Sequence, residues 1–115
     1  MFGCYLPYQL KLGSNFILGY GGLGVVIHDR AIIGDDCHID QNVTVGGTSK
    51  KKGVPIFGSH VYVGAGAKIL GPITIGDNVV IGANAVVVSD VPSGSLVVGI
   101  PGRVIKSNIL KSQYV

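Results

Sequence analysis

Stepping through the chain by six from Ile27 meets Ile33, Ile39, Val45, Lys51, Phe57, Val63, Ile69, Ile75, Ile81 and Val87, so every stop except Lys51 is hydrophobic. Glycine often comes next, at Gly34, Gly46, Gly58, Gly64, Gly76 and Gly82. Four places after each stop the residue is small or branched: Ala31, Cys37, Val43, Val61, Ala67, Ile73, Val79, Ala85 and Val91. A period of six matches neither the 3.6 of a helix nor the 2 of an ordinary strand. A short repeat this regular predicts a solenoid.

Each hexad then makes one short strand and one turn, and three hexads make a triangular coil. The first-place residue stacks inside the prism. The fifth-place residue also points inward but near a corner, so it must be compact. Glycine, Asn and Asp suit corners because they tolerate positive φ. Residues 27–98 hold twelve hexads, or four coils. Residues 1–26 form an irregular lead-in and a first imperfect coil, drawn from the Leu6–Gly13 stretch. The run Gly19–Gly24 is too rich in glycine to pack as a strand, which predicts a bend or a close backbone approach. The hexad rule fails over Gly46–Pro55, where Lys50, Lys51 and Lys52 cannot face an apolar interior. An exposed loop is expected near 46–55, a whole number of hexads long, so that later coils resume in phase. Residues 99–115 are the C-terminal cap and tail. Each coil touches only its neighbours, so stability rests on stacking and on capped ends.

Composition fits this picture. The chain has 115 residues, 19 of them glycine, and only 13% are charged. That is one domain, not a disordered chain. No stretch of about 18 apolar residues predicts a membrane helix. Met1–Tyr8 lack the basic start and apolar core of a signal peptide. Cys4 and Cys37 have no metal-ligand spacing; Cys37 reads as a compact interior residue and Cys4 as a free surface or cap thiol. A reducing, cytoplasmic setting is expected. The net charge of +3 gathers at Lys50–Lys52 and at Arg103 and Lys106. No aromatic platform accompanies these cations, so a small phosphorylated ligand suits them better than nucleic acid.

Several longer segments together carry a resemblance. These are Val43–Thr48, a basic loop closed by Pro55, Val63-Gly-Ala-Gly-Ala-Lys-Ile-Leu-Gly71, Ile81–Val87 and Gly99-Ile-Pro-Gly-Arg103. They resemble the serine O-acetyltransferases and the related sugar and polysaccharide O-acetyltransferases of the hexapeptide-repeat superfamily. The likeness covers roughly residues 5–106, and the Gly-Gly-Thr and Gly-Ala-Gly-Ala-Lys-Ile-Leu-Gly segments favour the serine branch. The large helical N-terminal domain of full serine acetyltransferases has no counterpart in these residues. The resemblance implies a left-handed parallel β-helix assembled as a homotrimer, with no membrane or nucleic-acid partner. It implies acetyl-CoA as acyl donor in a groove between neighbouring prisms, and a small-molecule acceptor bearing a hydroxyl. Carried over by position, Gly46, Gly47 and Thr48 border the thioester and pantetheine. Ala65, Gly66 and Ala83 offer backbone along the arm, and Arg103 and Lys106 face the phosphates. Gly and Ala at these places also serve simply to shape corners.

The family reaction uses a histidine as general base. The two places where serine acetyltransferases carry histidine hold Tyr20 or Gly21 and Val54 here. Three histidines stand elsewhere. His38, sixth in its hexad, is the best substitute base. His28 takes an outward second place, which suits a solvated or interface residue as well as a catalytic one. His60 lies at a corner and reads as surface. Tyr20 can donate a hydrogen bond to an acceptor, but a phenol is a poor base at neutral pH. Asp40 can orient a histidine or an amine, or simply be a solvated strand acid. The three histidines occupy different hexad places, so they do not converge on a metal, and none is expected. Two readings stay open: an acetyl-CoA-dependent O-acetyltransferase acting on serine or a sugar or polysaccharide precursor, and a non-catalytic trimeric paralogue that has lost the family histidines.

Overall fold

The computed structural model describes residue 6 and residues 10–49 and 51–115. Cys4 and Lys50 lie outside the described residues. The chain winds as a parallel β-solenoid of about five turns, with no α-helix among the described residues. The first coil holds β1 (Lys11–Leu12), β2 (Ile17–Leu18) and β3 (Val26–Ile27). The second holds β4 (Ile32–Ile33), β5 (His38–Ile39) and β6 (Thr44–Gly46). The third holds β7 (Ile56–Phe57), β8 (Val61–Val63) and β9 (Lys68–Leu70), and the fourth β10 (Thr74–Ile75), β11 (Val79–Ile81) and β12 (Val86–Val87). A last coil carries β13 (Leu96–Val98), and β14 (Arg103–Lys106) folds back antiparallel on it. The first sheet stacks β1, β4, β7 and β10, the second β2, β5, β8, β11, β13 and β14, and the third β3, β6, β9 and β12.

The hexad rule explains the interior. Every first-place residue from Ile27 to Val87 except Lys51 is at most 3% exposed, and the fifth-place residues outside the 46–55 excursion are at most 6%. They stack in columns such as Ile39, Val63 and Ile81 along the second sheet. The coil length is not constant. Val26 pairs with Thr44 and Tyr62 with Val80, one 18-residue coil apart. His38 pairs with Tyr62 across 24 residues, because the segment after β6 adds one hexad outside the wall. Ile17 pairs with His38 across 21 residues, because the glycine bend after β2 sits in the first coil.

Within the regular hexads positive φ recurs at the fourth place and not on the glycines of the second. One corner carries Asn15, Asp36, His60 and Asn78 in this conformation, and the next carries Gly24, Asn42, Gly66 and Asn84. The second-place glycines other than Gly46 answer a different need. A Cβ on Gly64 would lie 2.8 Å from the Ala83 nitrogen, and one on Gly76 would lie 2.5 Å from the Ser93 nitrogen. Neighbouring coils approach too closely there for any side chain. A ladder of alternating Asp and Ser ties the coils: the N–H groups of Ser14, Asp35, Ser59 and Asp77 donate to the side chains of Asp35, Ser59, Asp77 and Ser93, at 2.8–3.0 Å.

The C-terminal tail runs down the same side. Ile109 is buried and its N–H donates to the Gly94 carbonyl. Lys111 is buried, its ammonium 3.4 Å from Asp36. Cys37 is buried in the core, and burial pushes its thiol pKa up, as suits an inert interior residue. No helix of the described residues is long and apolar enough to cross a membrane.

Candidate active site

Two neighbouring strands of the second sheet build the main polar cluster. His38 on β5 and Tyr62 on β8 are direct register partners. Ile39 and Val63 point into the core, so strand alternation turns His38 and Tyr62 outward. Asp40 follows at the end of β5, its N–H donating to the Val63 carbonyl. One Asp40 oxygen lies 3.0 Å from His38 Nε2, and the other accepts the Tyr62 hydroxyl at 2.5 Å. The two rings meet edge to face, 5.1 Å between centroids. The hydrogen bond to Asp40, and then burial, push the Tyr62 pKa up to about 12. The phenol therefore stays a donor at any physiological pH. The His38 and Asp40 side chains are 18% and 12% exposed, sheltered but reachable.

The glycine bend roofs this cluster. A Cβ on Gly19 would strike Asp40 Oδ1 and lie 3.1 Å from His38 Nε2, so only glycine fits. Tyr20, Gly21, Gly22 and Gly24 then all take positive φ. For a bulky residue such as Tyr20 that conformation is strained. Its ring is 79% exposed and near enough to Tyr62 to influence that phenol.

The other sequence candidates lie elsewhere on the prism. His28 follows β3, with Nδ1 3.0 Å from Asp29 Oδ1. It lines an apolar cleft of about 280 Å³ with Val26, Thr44, Val45 and Gly46 on the third sheet. His60 sits on its corner, half exposed, with Nδ1 2.8 Å from Asp36. Gly46 ends β6, and Gly47 and Thr48 begin the excursion, where Lys51 and Lys52 are exposed while Val54 and Pro55 turn back in. Ala65, Gly66 and Ala83 lie at the corner where the second sheet passes into the third. Arg103 and Lys106 are exposed on β14, at the C-terminal end of the prism. Within one chain His38 and the Gly46 cleft thus belong to different sheets.

Gly46 and Gly47 have no internal reason to be glycine. Among the described residues a Cβ on Gly46 would meet only Leu70, at 4.0 Å, and one on Gly47 would come no nearer than 3.5 Å, to Gly53. Neither has positive φ. Beside them, Thr48 Oγ1 is buried with no hydrogen-bond partner among the described residues. A bare backbone strip with an orphan hydroxyl fits an extended ligand drawn close to the chain.

Residues 55–89 match the family model of the bacterial transferase hexapeptide (six repeats). The chain is 56% identical over 97 residues to a serine acetyltransferase of Synechococcus elongatus, covering 83% of this chain and 39% of that protein. The chain belongs to the hexapeptide-repeat acyltransferases, in their serine acetyltransferase-like branch. Solved structures agree. Serine acetyltransferase from Brucella abortus in complex with coenzyme A superposes with a TM-score of 0.84 at 38% identity, over 89% of this chain and 41% of that one. Soybean serine acetyltransferase complexed with serine gives 0.79 at 39%, over 84% and 40%. The chain spans less than half the length of these relatives.

The sequence singled out His38 but not the partner that completes its cluster. Tyr62 occupies the same sixth hexad place as His38, one coil and one extra hexad later. Adding the excursion to the coil length was the signal that would have paired them.

Proposed function

We propose that this hexapeptide-repeat chain transfers the acetyl group of acetyl-CoA to a hydroxyl, with serine as acceptor, and that it works as a homotrimer. The observation that carries this reading is the Gly46–Gly47 strip, which packing inside the chain does not require. Kinship to serine acetyltransferases, one seen with coenzyme A and another with serine, supports both donor and acceptor. Gly46, Gly47 and Thr48 hold the thioester end, Ala65, Gly66 and Ala83 offer backbone to the arm, and Arg103 and Lys106 meet the phosphates. His38 takes the place of the missing family histidines. It removes the proton from the acceptor hydroxyl as that oxygen attacks the thioester carbonyl, and it returns the proton to the departing sulfur. Tyr20, held over the site by its strained backbone, donates to the acceptor. His28, in the cleft beside Gly46, is a contact to donor or acceptor.

A trimer supplies what one chain lacks. Copies that set the second sheet of one against the third sheet of the next bring His38 to the Gly46 cleft. Exposed Ile17 on the second sheet and Val26 and Val88 by the third are apolar surface for such contacts. Sedimentation and acetyl-CoA calorimetry on the purified protein test this reading together. A trimer that binds acetyl-CoA supports it. A monomer, or a trimer that does not bind acetyl-CoA, overturns it.

A further inference from the structure

Taking His38 as the base, we propose that Asp40 and Tyr62 are positioning residues that hold it as the Nε2–H tautomer and so make Nδ1 the proton-accepting atom. The proposal rests on the functional reading above but makes a separate claim about the imidazole. A carboxylate only accepts hydrogen bonds. The 3.0 Å contact from Asp40 Oδ1 to Nε2 therefore places the proton of a neutral ring on Nε2. Nδ1 has no hydrogen-bond partner among the described residues, and the side chain that carries it is 18% exposed, so the ring is reachable from outside.

Asp40 cannot swing away from this duty. Its second oxygen is held by Tyr62, its backbone N–H by Val63, and Gly19 closes over its first oxygen. Tyr62 is itself fixed by the register of β8 between β5 and β11. The groups that face His38 from the packed elements are Asp40 on its own strand, Tyr62 on β8, and the bend of Gly19 and Tyr20; its β2 partner is the uncharged Ile17. No cation competes for Asp40 among the described residues.

The test reads the ring directly. In the full-length protein labelled with 15N-histidine, the two ring nitrogens report the tautomer by their chemical shifts, with the His38 signal assigned by its loss in His38→Ala. The wild type should show Nε2–H for the neutral ring. In Asp40→Asn the amide can donate to Nε2, so Nδ1–H should appear, and kcat should fall roughly 10²-fold or more with little change in KM. Tyr62→Phe leaves Asp40 free to move and should lower kcat roughly tenfold, the equivalent of one modest hydrogen bond to a charged group, again with KM nearly constant. A His38 that keeps Nε2–H in Asp40→Asn, or a Tyr62→Phe enzyme with wild-type kcat, overturns the positioning role even if His38→Ala is inactive. If His38→Ala turns over like the wild type, the base assignment itself fails, and this inference with it.

Discussion

Two glycine-to-alanine changes should separate glycines that serve the fold from those that serve a ligand. Gly76→Ala places a methyl 2.5 Å from the Ser93 nitrogen and 2.8 Å from the Ser93 Cα, both backbone atoms of the next coil. Nothing flexible can yield there, so the coils must part. Overpacking of this kind costs about 1–3 kcal/mol. For a domain of this size each 1 kcal/mol lowers Tm by roughly 4–8 °C, so a loss of about 4–24 °C is expected. Gly46→Ala meets only Leu70 at 4.0 Å, and its backbone needs no positive φ. Removing glycine's unfolded-state freedom should leave it neutral or more stable by up to about 1 kcal/mol. The new methyl instead enters the cleft of about 280 Å³ beside Thr44 and His28. Acetyl-CoA should then bind at least roughly tenfold more weakly, because the methyl blocks its close approach to the backbone. Thermal unfolding followed by circular dichroism, with acetyl-CoA calorimetry on both variants, checks the pair. A Gly46→Ala protein that unfolds early, or that binds acetyl-CoA like the wild type, refutes the reasoning.

Two further outcomes follow from charge. The hydrogen bond from His60, and then Lys111, hold the Asp36 carboxyl below its ordinary value. A depressed carboxyl contributes stability above its unfolded pKa of about 4 and loses it as pH falls through the lower folded value. Asp36→Asn should therefore flatten the loss of stability on acidification below about pH 4, measured by urea unfolding across that range; an acid limb identical to the wild type would speak against the cluster. Tyr62 has the opposite sign. Its raised pKa means that the phenol stabilises the fold fully below the ordinary value of about 10 and less as pH rises through the folded value, up to about 12. Ultraviolet titration should show a tyrosine ionising near 12 that Tyr62→Phe abolishes.

Much of the architecture is legible in the residues because a hexad constrains three things at once. The apolar first place, the compact fifth place and the turn between them all recur, and stacking forces each coil to repeat the last. The excursion near 46–55 is legible for the same reason, since Lys51 sits where the core needs an apolar residue. The two uses of glycine are not legible. Gly46 and Gly64 look alike in sequence, yet only Gly64 lies against a neighbouring backbone. Positive φ belongs to the fourth place, where Asp36, His60 and Asn78 sit as readily as glycine. The site was half legible. His38 stands out as the substitute base, but in the sequence alone Asp40 reads more readily as a solvated strand acid. Its burial comes from Gly19, and the three residues added by the bend set that contact. A local pattern does not carry such a tertiary approach.

Serine-dependent release of free thiol from acetyl-CoA, followed side by side for the wild type, His38→Ala and His28→Ala, tests acetyl transfer through a relocated base most directly. The predicted result is turnover by the wild type, a loss of roughly 10²-fold or more in His38→Ala, and a smaller effect in His28→Ala that falls mainly on KM. A wild-type protein that binds acetyl-CoA but releases no thiol with serine, or a His38→Ala protein as active as its parent, would contradict it.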